Sequence, residues 1–496
     1  MPPKFRFAYW FLYGCFRIGF LFSGHNLFSE EAQYWLWSKH PDWAYYSKPP
    51  LIAWVNAVTS SVFGNHELVI RLTALAFGAA TLYALYKVSL QLFADKLLAY
   101  LATMILSIMP YFMLASTFFT TDSLLLFFWV STFYFFLKAL QYNTLLYWLL
   151  TGLSFGLGCL SKQAMLFFLL FLLVSLFLPD GKRYLAGQAI VLGLVLASHL
   201  PVFWWSYKHD WVMQRHLLHL AGVESGASHL LSTKYLVEFF GGFILMNSPF
   251  FLYLLLRVSS FRFRPFPAAD KKKLSLLFIP AIASLLLFSC VAIVKRVEVN
   301  WYNIGCLLLP IGIAYLVVQE KRFLQAGIAF CLTSACWVFF LYPVLQDYTG
   351  LSRIVPVRSD GLKRLTGWQQ LGQQVKMLSA KHASLAPFQV AGIDYQVASQ
   401  LAFYAGNTQV RCICDNKSYN QFSIWSASGW PRHPQNTIFV TYDTSLPSQL
   451  YLYYDLVEAR EVPFVYRKQA LYKYTIFVLQ AKPTATHTAS HPSPMR

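Results

Sequence analysis

Long apolar runs separated by short clusters of basic residues make up most of the first 343 residues of this chain. A helix needs about 20 predominantly apolar residues to cross a bilayer. Eleven such runs can be distinguished, near 7–24, 68–93, 97–115, 123–141, 145–160, 163–178, 184–205, 235–257, 274–293, 303–319 and 322–343. The sequence therefore predicts a polytopic α-helical membrane protein with about 11 transmembrane helices. The fifth and sixth runs are short and meet at Ser161-Lys162, so they are alternatively one broken element.

The composition excludes a soluble or a disordered chain. Hydrophobic residues make up 57% of the sequence and charged residues only 12%, against roughly 25% charged in ordinary soluble domains. A formal net charge of +19 would suit nucleic acid, but Lys and Arg occur in short clusters between apolar runs rather than along one polar face. We therefore expect no nucleic-acid partner, and a basic excess that serves topology and contact with membrane lipids.

The basic residues of the short loops predict the orientation, because cytoplasmic loops are enriched in Lys and Arg. An eleven-helix path that starts inside places the following residues in the cytoplasm: Lys4, Arg6, Lys96, Lys182, Arg183, the cluster 257–273, Lys321 and Arg322. Residues 25–67 and everything after about 344 then lie on the opposite side. No small-residue cleavage site follows the first run before Glu30, so we expect this run to stay as an anchor.

The composition changes after Tyr342-Pro343, which predicts a separate soluble domain over 344–482. Helical spacing occurs at Thr366–Lys381 and Tyr395–Tyr404, and strand patterns at Phe388–Ile393, Thr437–Tyr442 and Tyr472–Leu479. We therefore expect a small α/β domain. Residues 483–496 are rich in Pro, Thr, Ser and His and predict a disordered tail.

The first outer loop, 25–67, is far longer than the two to eight residues that usually join packed helices. It carries Glu30 and Glu31 next to Ser29, together with many aromatic residues. Capping explains the two acids as well as catalysis does, since acids favour a helix N-terminus and Ser29 is a good N-cap. Adjacent carboxylates point about 100° apart on a helix, so only one of them easily faces a given site.

Other charged residues lie at neighbouring outer corners. Asp122 follows Thr120-Thr121 between the third and fourth runs, where N-capping and catalysis are equally good explanations. Lys162 is an isolated cation, for which snorkelling towards the membrane surface is the alternative. One short outer loop, against the cytoplasmic bias, collects further cations and polar groups: Lys295, Arg296, Asn300 and Trp301.

These residue types suit a lipid-phosphate substrate at a membrane surface. A carboxylate can act as general base towards a hydroxyl, while Lys and Arg can bind a phosphate and stabilise it as a leaving group. No Gly-rich phosphate loop and no HExxH motif occurs, so nucleotide hydrolysis and zinc proteolysis have no support. Six of the eight Cys lie in apolar runs and only Cys412 and Cys414 in a polar region, so no disulfide framework is predicted.

Five short motifs occur in order along the first 300 residues. They are Glu-Glu-Ala-x-Tyr-Trp (30–35), Asp-Trp-x-Tyr-Tyr-x-Lys-Pro-Pro-Leu-Ile-Ala-Trp (42–54), Gly-Asn-x-Glu-x-x-x-Arg-Leu (64–72), Thr-Asp-Ser (121–123) and Leu-Ser-Lys (160–162). In this the chain resembles the polyprenyl-phosphate-sugar-dependent glycosyltransferases of the protein-mannosyltransferase type, whose bacterial members include the lipid A aminoarabinose and galacturonic acid transferases. The resemblance implies the C-type glycosyltransferase architecture, with many membrane helices and a long first outer loop.

The resemblance also implies roles for individual residues. The first acid of the loop motif, Glu30, is the favoured base, Glu31 matches the second, and Asp122 matches the family's second acid. The family commonly has Asp-Glu, so the choice of base between Glu30 and Glu31 stays open. Together with the cations of the other outer loops, which are included for their charge and position, four cations are expected at the donor phosphate: Lys48, Lys162, Lys295 and Arg296. Four further residues are expected to bind substrate: Tyr34, Tyr46, Asn300 and Trp301.

Ser47 stands where some relatives carry an acid that helps to bind a metal, so a divalent metal is left open and no other cofactor is expected. The implied function is an inner-membrane enzyme that moves a sugar from undecaprenyl phosphate to lipid A, another envelope glycan or protein on the periplasmic side, by a single inverting displacement. The alternative is a transporter or flippase of a lipid-linked sugar, in which the same charges line a path. Such transporters often contain repeats, and none is visible in the sequence.

Overall fold

A computed structural model describes residues 3–177, 181–221, 233–259, 267–342, 356–413, 419–425 and 434–483, together with 345, 347 and 350. The chain divides into two compact units. The first contains Met1–Ser23 and His40–Thr349, and the second contains Gly24–Lys39 and Gly350–Arg496. The tail predicted at 483–496 lies, apart from Pro483, outside the described residues.

The first unit is built from α-helices, as predicted. Its helices are Pro3–Leu21, Leu51–Phe63, Glu67–Phe93, Lys96–Ile108, Pro110–Thr117, Thr121–Tyr142, Leu145–Ser161, Leu169–Leu176, Leu185–Lys208, Val212–Ala221, Thr233–Met246, Pro249–Ser259, Ala268–Ala292, Val299–Tyr302, Leu309–Gln319 and Phe323–Leu341, with 3-10 turns at Gln163–Phe168, Gly181–Tyr184 and Asn303–Cys306. Each of the eleven predicted runs coincides with one helix or with two consecutive helices.

The helices that could span a membrane are of two kinds, straight helices and bent helix pairs. Among the described residues, five helices are long and apolar enough to cross a membrane, or up to eight spans if each of three bent pairs counts as one. The three other predicted runs correspond to the shorter apolar helices Leu145–Ser161 and Gln163–Leu176 and to Pro3–Leu21, which carries three basic residues. A polytopic helical protein is therefore confirmed, with fewer straight spans than predicted.

Prolines mark the bends. Lys96–Ile108 and Pro110–Thr117 meet at 67°, Thr233–Met246 and the helix from Pro249 meet at 90°, and Val299–Cys306 and Leu309–Gln319 meet at 44°. Pro110, Pro249 and Pro310 lie at or next to the first residue of the second helix in each pair. Proline has no N–H to donate and clashes with the preceding turn, so it begins a helix more readily than it continues one.

The junction at Ser161-Lys162 is a true break. Helix Leu145–Ser161 ends at Lys162, whose φ of −161° and ψ of 138° are extended, and a 3-10 turn follows. On the same helix Gly152 allows a close approach to Leu185–Lys208, because an added Cβ would lie 2.6 Å from Leu194 Cδ1. Small residues of this kind let membrane helices pack tightly.

The second unit contains a five-stranded mixed sheet, in the order β2-β1-β3-β5-β4. Its strands are β1 (Gln389–Gly392), β2 (Arg411–Cys412), β3 (Thr437–Thr441), β4 (Tyr454–Tyr466) and β5 (Gln469–Ala481), and its helices include Trp368–Lys381, Tyr395–Tyr404 and Gln421–Ile424. Strand β1 pairs in parallel with β2 and β3, while β5 pairs antiparallel with β3 and β4. The small α/β domain is therefore confirmed.

Strand β4 was not predicted, for two physical reasons. It is an edge strand with Glu458, Arg460, Glu461 and Pro463 among its residues, which hides the alternation of a half-buried strand. Its connection to β5 is the two-residue turn Arg467-Lys468, with positive φ at both residues. Asn-Gly or Asp-Gly is the usual sequence signal for such a turn, and it is absent here.

The segment 24–39 differs from the predicted domain division, which placed all of 25–67 in the membrane domain. Asn26 Oδ1 accepts from Trp368 N at 2.9 Å, and Leu27 N donates to Tyr404 Oη at 2.7 Å. Helix Ser29–Ser38 packs on Tyr395–Tyr404, where the rings of Trp35 and Phe403 meet edge to face at 4.8 Å. In the same unit Cys412 is disulfide-bonded, a bond that the Cys spacing did not predict.

Candidate active site

A buried polar cluster surrounds Asp122, near the start of helix Thr121–Tyr142. Its Oδ1 lies 2.8 Å from Lys162 Nζ and accepts a hydrogen bond from the Tyr111 hydroxyl at 3.0 Å. Its Oδ2 accepts from Asn300 Nδ2 at 3.2 Å. Three of these four residues were predicted at the site from the sequence, so the fold brings together residues that are up to 189 positions apart in the sequence.

Capping does not account for this carboxylate. The N-cap position of the helix is Thr120, whose N–H donates to Ser123 Oγ at 3.1 Å. In the described part of the chain the hydrogen bonds to Asp122 all come from side chains. The sequence left capping and catalysis open for Asp122, and the geometry favours a functional role.

Each partner of Asp122 lies at an interruption of a helix. Tyr111 follows Pro110 at the 67° bend, and Lys162 occupies the extended position after Ser161. Asn300 belongs to the short helix Val299–Tyr302, in which Asn303 Nδ2 donates to the Val299 carbonyl at 2.6 Å. The backbone breaks therefore create the polar pocket. They bring together side chains that a continuous helix would spread along its length.

Burial strengthens the attraction between Lys162 and Asp122 and raises the cost of leaving either charge unpaired. Lys162 is 4% exposed and Asp122 is 6% exposed, which rules out snorkelling of Lys162 to the surface. A buried charge is tolerated when a counterion and hydrogen bonds compensate its desolvation. A Lys ammonium has three donors, and among the described residues Asp122 is the hydrogen-bond acceptor of Lys162. Two donors are therefore available to a ligand.

An apolar cavity of about 690 Å³ lies in the first unit, along the segment that follows Lys162 in the chain. It is lined by Gln163, Leu166, Phe167, Leu169, Leu170, Leu173, Ala283 and Leu287. Gln163 follows Lys162 directly in the chain, so the segment that lines the cavity begins one residue after the lysine. The apolar lining can accommodate an apolar chain.

Lys48 belongs to a second polar group in the first unit. Burial, and then the charges of Lys48 and His219, lower the pKa of His216 to about 4. The rings of Tyr46 and His216 lie 4.6 Å apart. Asp42, from the same loop, accepts from Trp205 Nε1 at 2.7 Å and ties the loop to helix Leu185–Lys208. His216 was missed from the sequence, because one His on a short helix gives no distinct signal.

The remaining predicted cations have other partners. Arg296 Nε lies 3.5 Å from Glu238 Oε2, with both side chains exposed, and Lys295 donates to the His219 carbonyl. Neither is a partner of Asp122 or Lys162 among the described contacts. The Trp301 ring lies 6.3 Å from that of Phe288. Of the loop 295–301, the structure thus brings Asn300 alone into contact with Asp122.

Glu30 and Glu31 lie in the second unit, at the start of helix Ser29–Ser38. Glu31 is buried and its Oε2 accepts from Phe28 N at 2.9 Å, so Glu31 caps the helix, with Phe28 rather than Ser29 at the N-cap. Glu30 is exposed and accepts from the Tyr34 hydroxyl at 3.2 Å. Burial, with a smaller contribution from the Glu30 charge, raises the pKa of Tyr395. The two acids therefore have different surroundings, and Glu30 is the more accessible.

The Asp122 cluster does not fit a divalent metal. It holds one carboxylate, and the Lys162 ammonium 2.8 Å away would repel a second cation. Over the ranges that the structure describes, no group of three or more His, Cys, Asp or Glu side chains is placed to hold a metal ion.

One stretch of the chain matches a known protein family. Residues 47–205 match the family described as dolichyl-phosphate-mannose-protein mannosyltransferase. Over 203 residues the chain is 31% identical to the lipid A galacturonosyltransferase RgtD of Rhizobium johnstonii, a match that covers 40% of this chain and 42% of that protein. The chain thus spans about two fifths of the length of this curated relative.

Two crystal structures of ArnT from Cupriavidus metallidurans share the fold. The apo structure superposes with a TM-score of 0.59 and the structure bound to undecaprenyl phosphate with 0.61, each at 14% identity over 95% of this chain and 98% of the other. The family match over residues 47–205 and this fold confirm the resemblance that the sequence motifs indicated. Residues 47–205 thus resemble the protein-mannosyltransferase type, and the chain shares the fold of ArnT.

Proposed function

We propose that this protein is a bacterial inner-membrane glycosyltransferase that moves a sugar from a polyprenyl phosphate, such as undecaprenyl phosphate, to an acceptor on the periplasmic side. The observation that carries the proposal is the buried Asp122–Lys162 pair, whose Lys162 directly precedes a segment that lines an apolar cavity. The similarity to a lipid A galacturonosyltransferase favours lipid A as the acceptor over another glycan or protein. The fold it shares with an undecaprenyl-phosphate-bound structure supports the lipid-linked donor.

In this proposal the donor's prenyl chain lies in the cavity and its phosphate meets Lys162. The phosphate diester carries one negative charge in the donor and gains a second as the sugar leaves. The two available donors of the ammonium therefore stabilise the transition state more than the ground state. Lys295 and Arg296 have other partners, so the proposal assigns the phosphate to Lys162 and leaves Lys48 as a second cation.

Asp122 acts on the reaction through Lys162. A carboxylate that already accepts hydrogen bonds from Lys162, Tyr111 and Asn300 is suited to holding its donors in place. Its negative charge also offsets the desolvation cost of the buried Lys162 ammonium group. We therefore assign Asp122 as a positioning residue.

The displacement itself needs one base. An acceptor hydroxyl oxygen bonds to the anomeric carbon, the bond from that carbon to the phosphate oxygen breaks, and its electron pair leaves with the polyprenyl phosphate. The hydroxyl proton passes to a carboxylate, which the resemblance assigns to Glu30. A single displacement of this kind inverts the anomeric centre and needs no carboxylate nucleophile.

The periplasmic orientation is part of the proposal. The basic clusters of the short loops support it. The disulfide at Cys412 also supports it, because disulfides form and persist in the periplasm and are rare in the cytoplasm.

The test compares Asp122→Asn with Asp270→Asn. Asp270 is a matched control, since it accepts from the Tyr315 hydroxyl at 2.9 Å and lies 3.4 Å from Lys273 Nζ. The purified proteins receive undecaprenyl-phosphate-linked galacturonic acid or aminoarabinose together with lipid A, and release of undecaprenyl phosphate is measured. We expect turnover in the wild type and in Asp270→Asn, and a loss of about 10²-fold or more in Asp122→Asn. A wild type that moves the lipid-linked sugar across vesicles without releasing undecaprenyl phosphate would establish the flippase instead.

A further inference from the structure

A second cavity, of about 550 Å³, lies in the first unit between helices Pro3–Leu21 and Glu67–Phe93. Helices Lys96–Ile108 and Pro110–Thr117 complete its wall, and its lining is mainly apolar and aromatic, with Trp10, Leu75, Leu82, Tyr83 and Phe112 among its residues. Arg6 and Arg17 both line it, eleven residues and therefore about 16 Å apart along their helix. One leaflet of a bilayer contributes about 15 Å of hydrocarbon, so the cavity has the length of a single lipid chain.

Among the residues that the structure describes, the buried cation Arg17 has no anionic partner. It is 3% exposed, and it donates to the Tyr13 hydroxyl at 2.8 Å and to Ser116 Oγ at 3.0 Å, with the Ser116 carbonyl and Met113 sulfur as further contacts. All of these acceptors are neutral, and no carboxylate pairs with Arg17 in the described ranges. Lys162, by contrast, has Asp122. An ionised side chain at membrane depth is costly unless a counterion reaches it.

The position of Arg17 suits a lipid head group. It lies four residues before the end of helix Pro3–Leu21, about 6 Å along the axis. A guanidinium binds phosphate oxygens through paired N–H donors. A lipid phosphate at Arg17 would therefore supply the missing negative charge while its chain runs along the cavity towards Arg6.

The cavity and the Asp122 cluster lie on different faces of helix Pro110–Thr117. Helix Pro110–Thr117 presents Tyr111 to Asp122, whereas Phe112 and Ser116 line the cavity. These two residues lie about 100° and 140° around the helix from Tyr111. A lipid phosphate at Arg17 thus faces the opposite side of this helix from the proposed reaction.

We propose that this cavity binds one anionic phospholipid, with its phosphate on Arg17 and one acyl chain between helices Pro3–Leu21 and Glu67–Phe93. The proposal does not depend on the catalytic function, because it rests on the cavity and on the uncompensated charge of Arg17.

Gly14 offers a direct way to fill the cavity. It lines the cavity, and an added Cβ would meet no atom within 4 Å. A Gly14→Leu side chain would therefore enter the cavity with no neighbouring atom within 4 Å of its Cβ. Gly193, on helix Leu185–Lys208, also has open space at its Cβ and does not line the cavity, so Gly193→Leu is the matched control. Both changes replace a helical Gly by a better helix former.

The experiment counts bound lipids by native mass spectrometry as phosphatidylglycerol or phosphatidylcholine is added to the delipidated proteins. The wild type and Gly193→Leu should bind one phosphatidylglycerol that Gly14→Leu does not bind. Arg17→Gln should bind it about tenfold more weakly, a loss of about 1.4 kcal/mol, since it removes a hydrogen bond between two charged groups. Arg17→Gln leaves no unpaired charge, and a thermal melt checks its fold.

Three results would overturn the proposal. Retention of the lipid by Gly14→Leu at the wild-type level would place the lipid elsewhere. Binding of phosphatidylcholine as tight as that of phosphatidylglycerol would remove the role of charge. Displacement of phosphatidylglycerol by undecaprenyl phosphate at equal concentration would make the cavity a site for the carrier lipid instead.

Discussion

Lys162 Nζ lies 2.8 Å from Asp122 Oδ1, although the two residues are 40 positions apart and belong to apolar stretches of the chain. Both side chains are buried, so each charge depends on the other for compensation. Removing one partner of a buried ion pair is therefore more disruptive than removing both.

Lys162→Met should lower both stability and turnover. It leaves Asp122 buried without a counterion, which costs about 3–5 kcal/mol. The double change Asp122→Asn with Lys162→Met should recover most of that stability and none of the turnover, as measured by thermal melts and by release of undecaprenyl phosphate. Lys273→Met is the control at the Asp270 pair. An effect of Lys162→Met confined to acceptor KM would move Lys162 from the donor phosphate to the acceptor.

Tyr111→Phe should reduce kcat by about tenfold, because it removes one hydrogen bond to a charged group and keeps the ring. Donor KM should change little, since Tyr111 holds Asp122 and is not assigned a contact with the donor. Tyr315→Phe removes the corresponding bond to Asp270 and should leave kcat unchanged. Equal kcat values for Tyr111→Phe and the wild type would contradict the role given to the Asp122 cluster.

Glu30→Gln should lower turnover by about 10²-fold or more, the lower range of what removal of a general base costs. Glu31→Gln keeps an oxygen that can accept from Phe28 N–H, so the helix start and most of the activity should remain. Steady-state rates of both variants, with expression level as the control, decide the assignment. An inactive Glu31→Gln beside an active Glu30→Gln would identify Glu31 as the base.

Glu458 should make the second unit sensitive to acid. Its hydrogen bonds to Lys381 and His382, and the charge of Arg460, lower the pKa of Glu458 to about 2 from an ordinary 4.5. A lowered folded-state pKa adds stability that is complete above about pH 4.5 and is lost as the pH falls towards 2. Thermal melts should show Glu458→Gln below wild type at neutral pH and the difference shrinking over that window. Glu461→Gln, which loses only a half-exposed pair with Lys473, should show little difference at any pH.

Orientation can be tested with reporter fusions. Alkaline phosphatase, which is active only in the periplasm, should be active when fused after Asp347 and inactive when fused after Arg183. The reason is the bias of basic residues towards cytoplasmic loops. A reporter after Asp347 that works only in the cytoplasm would reverse the proposed topology.

Much of the architecture could be predicted because it follows from local patterns. Apolar length locates the helices, and alternation or helical spacing locates most elements of the sheet domain. Asp122, Lys162 and Asn300 stood out for a related reason, since polar residues at the ends of apolar runs are costly and need an explanation. Tyr111 did not stand out, because the chain has 30 Tyr and this residue type is common near membrane surfaces.

Other features depend on the fold and could not be read from spacing. Glu30 and Glu31 are adjacent and have the same side chain. Glu31 is the capping residue because the N-cap of the helix lies at Phe28, whose N–H donates to Glu31. Lys295 and Arg296 were grouped with Lys162 by charge alone, whereas Glu238 and the His219 carbonyl, which contact them, lie on elements distant in sequence. Such partner choices arise only when the helices pack.

Helix Ser29–Ser38 also sets an order of events during synthesis. Its partner helix, Tyr395–Tyr404, leaves the ribosome about 360 residues later, a delay of about 20 to 70 s at 5–20 residues per second. During that interval Trp35 lacks the Phe403 ring against which it finally packs. The nascent chain must therefore complete the insertion of its membrane helices before the aromatic face of Ser29–Ser38 can pack against Tyr395–Tyr404.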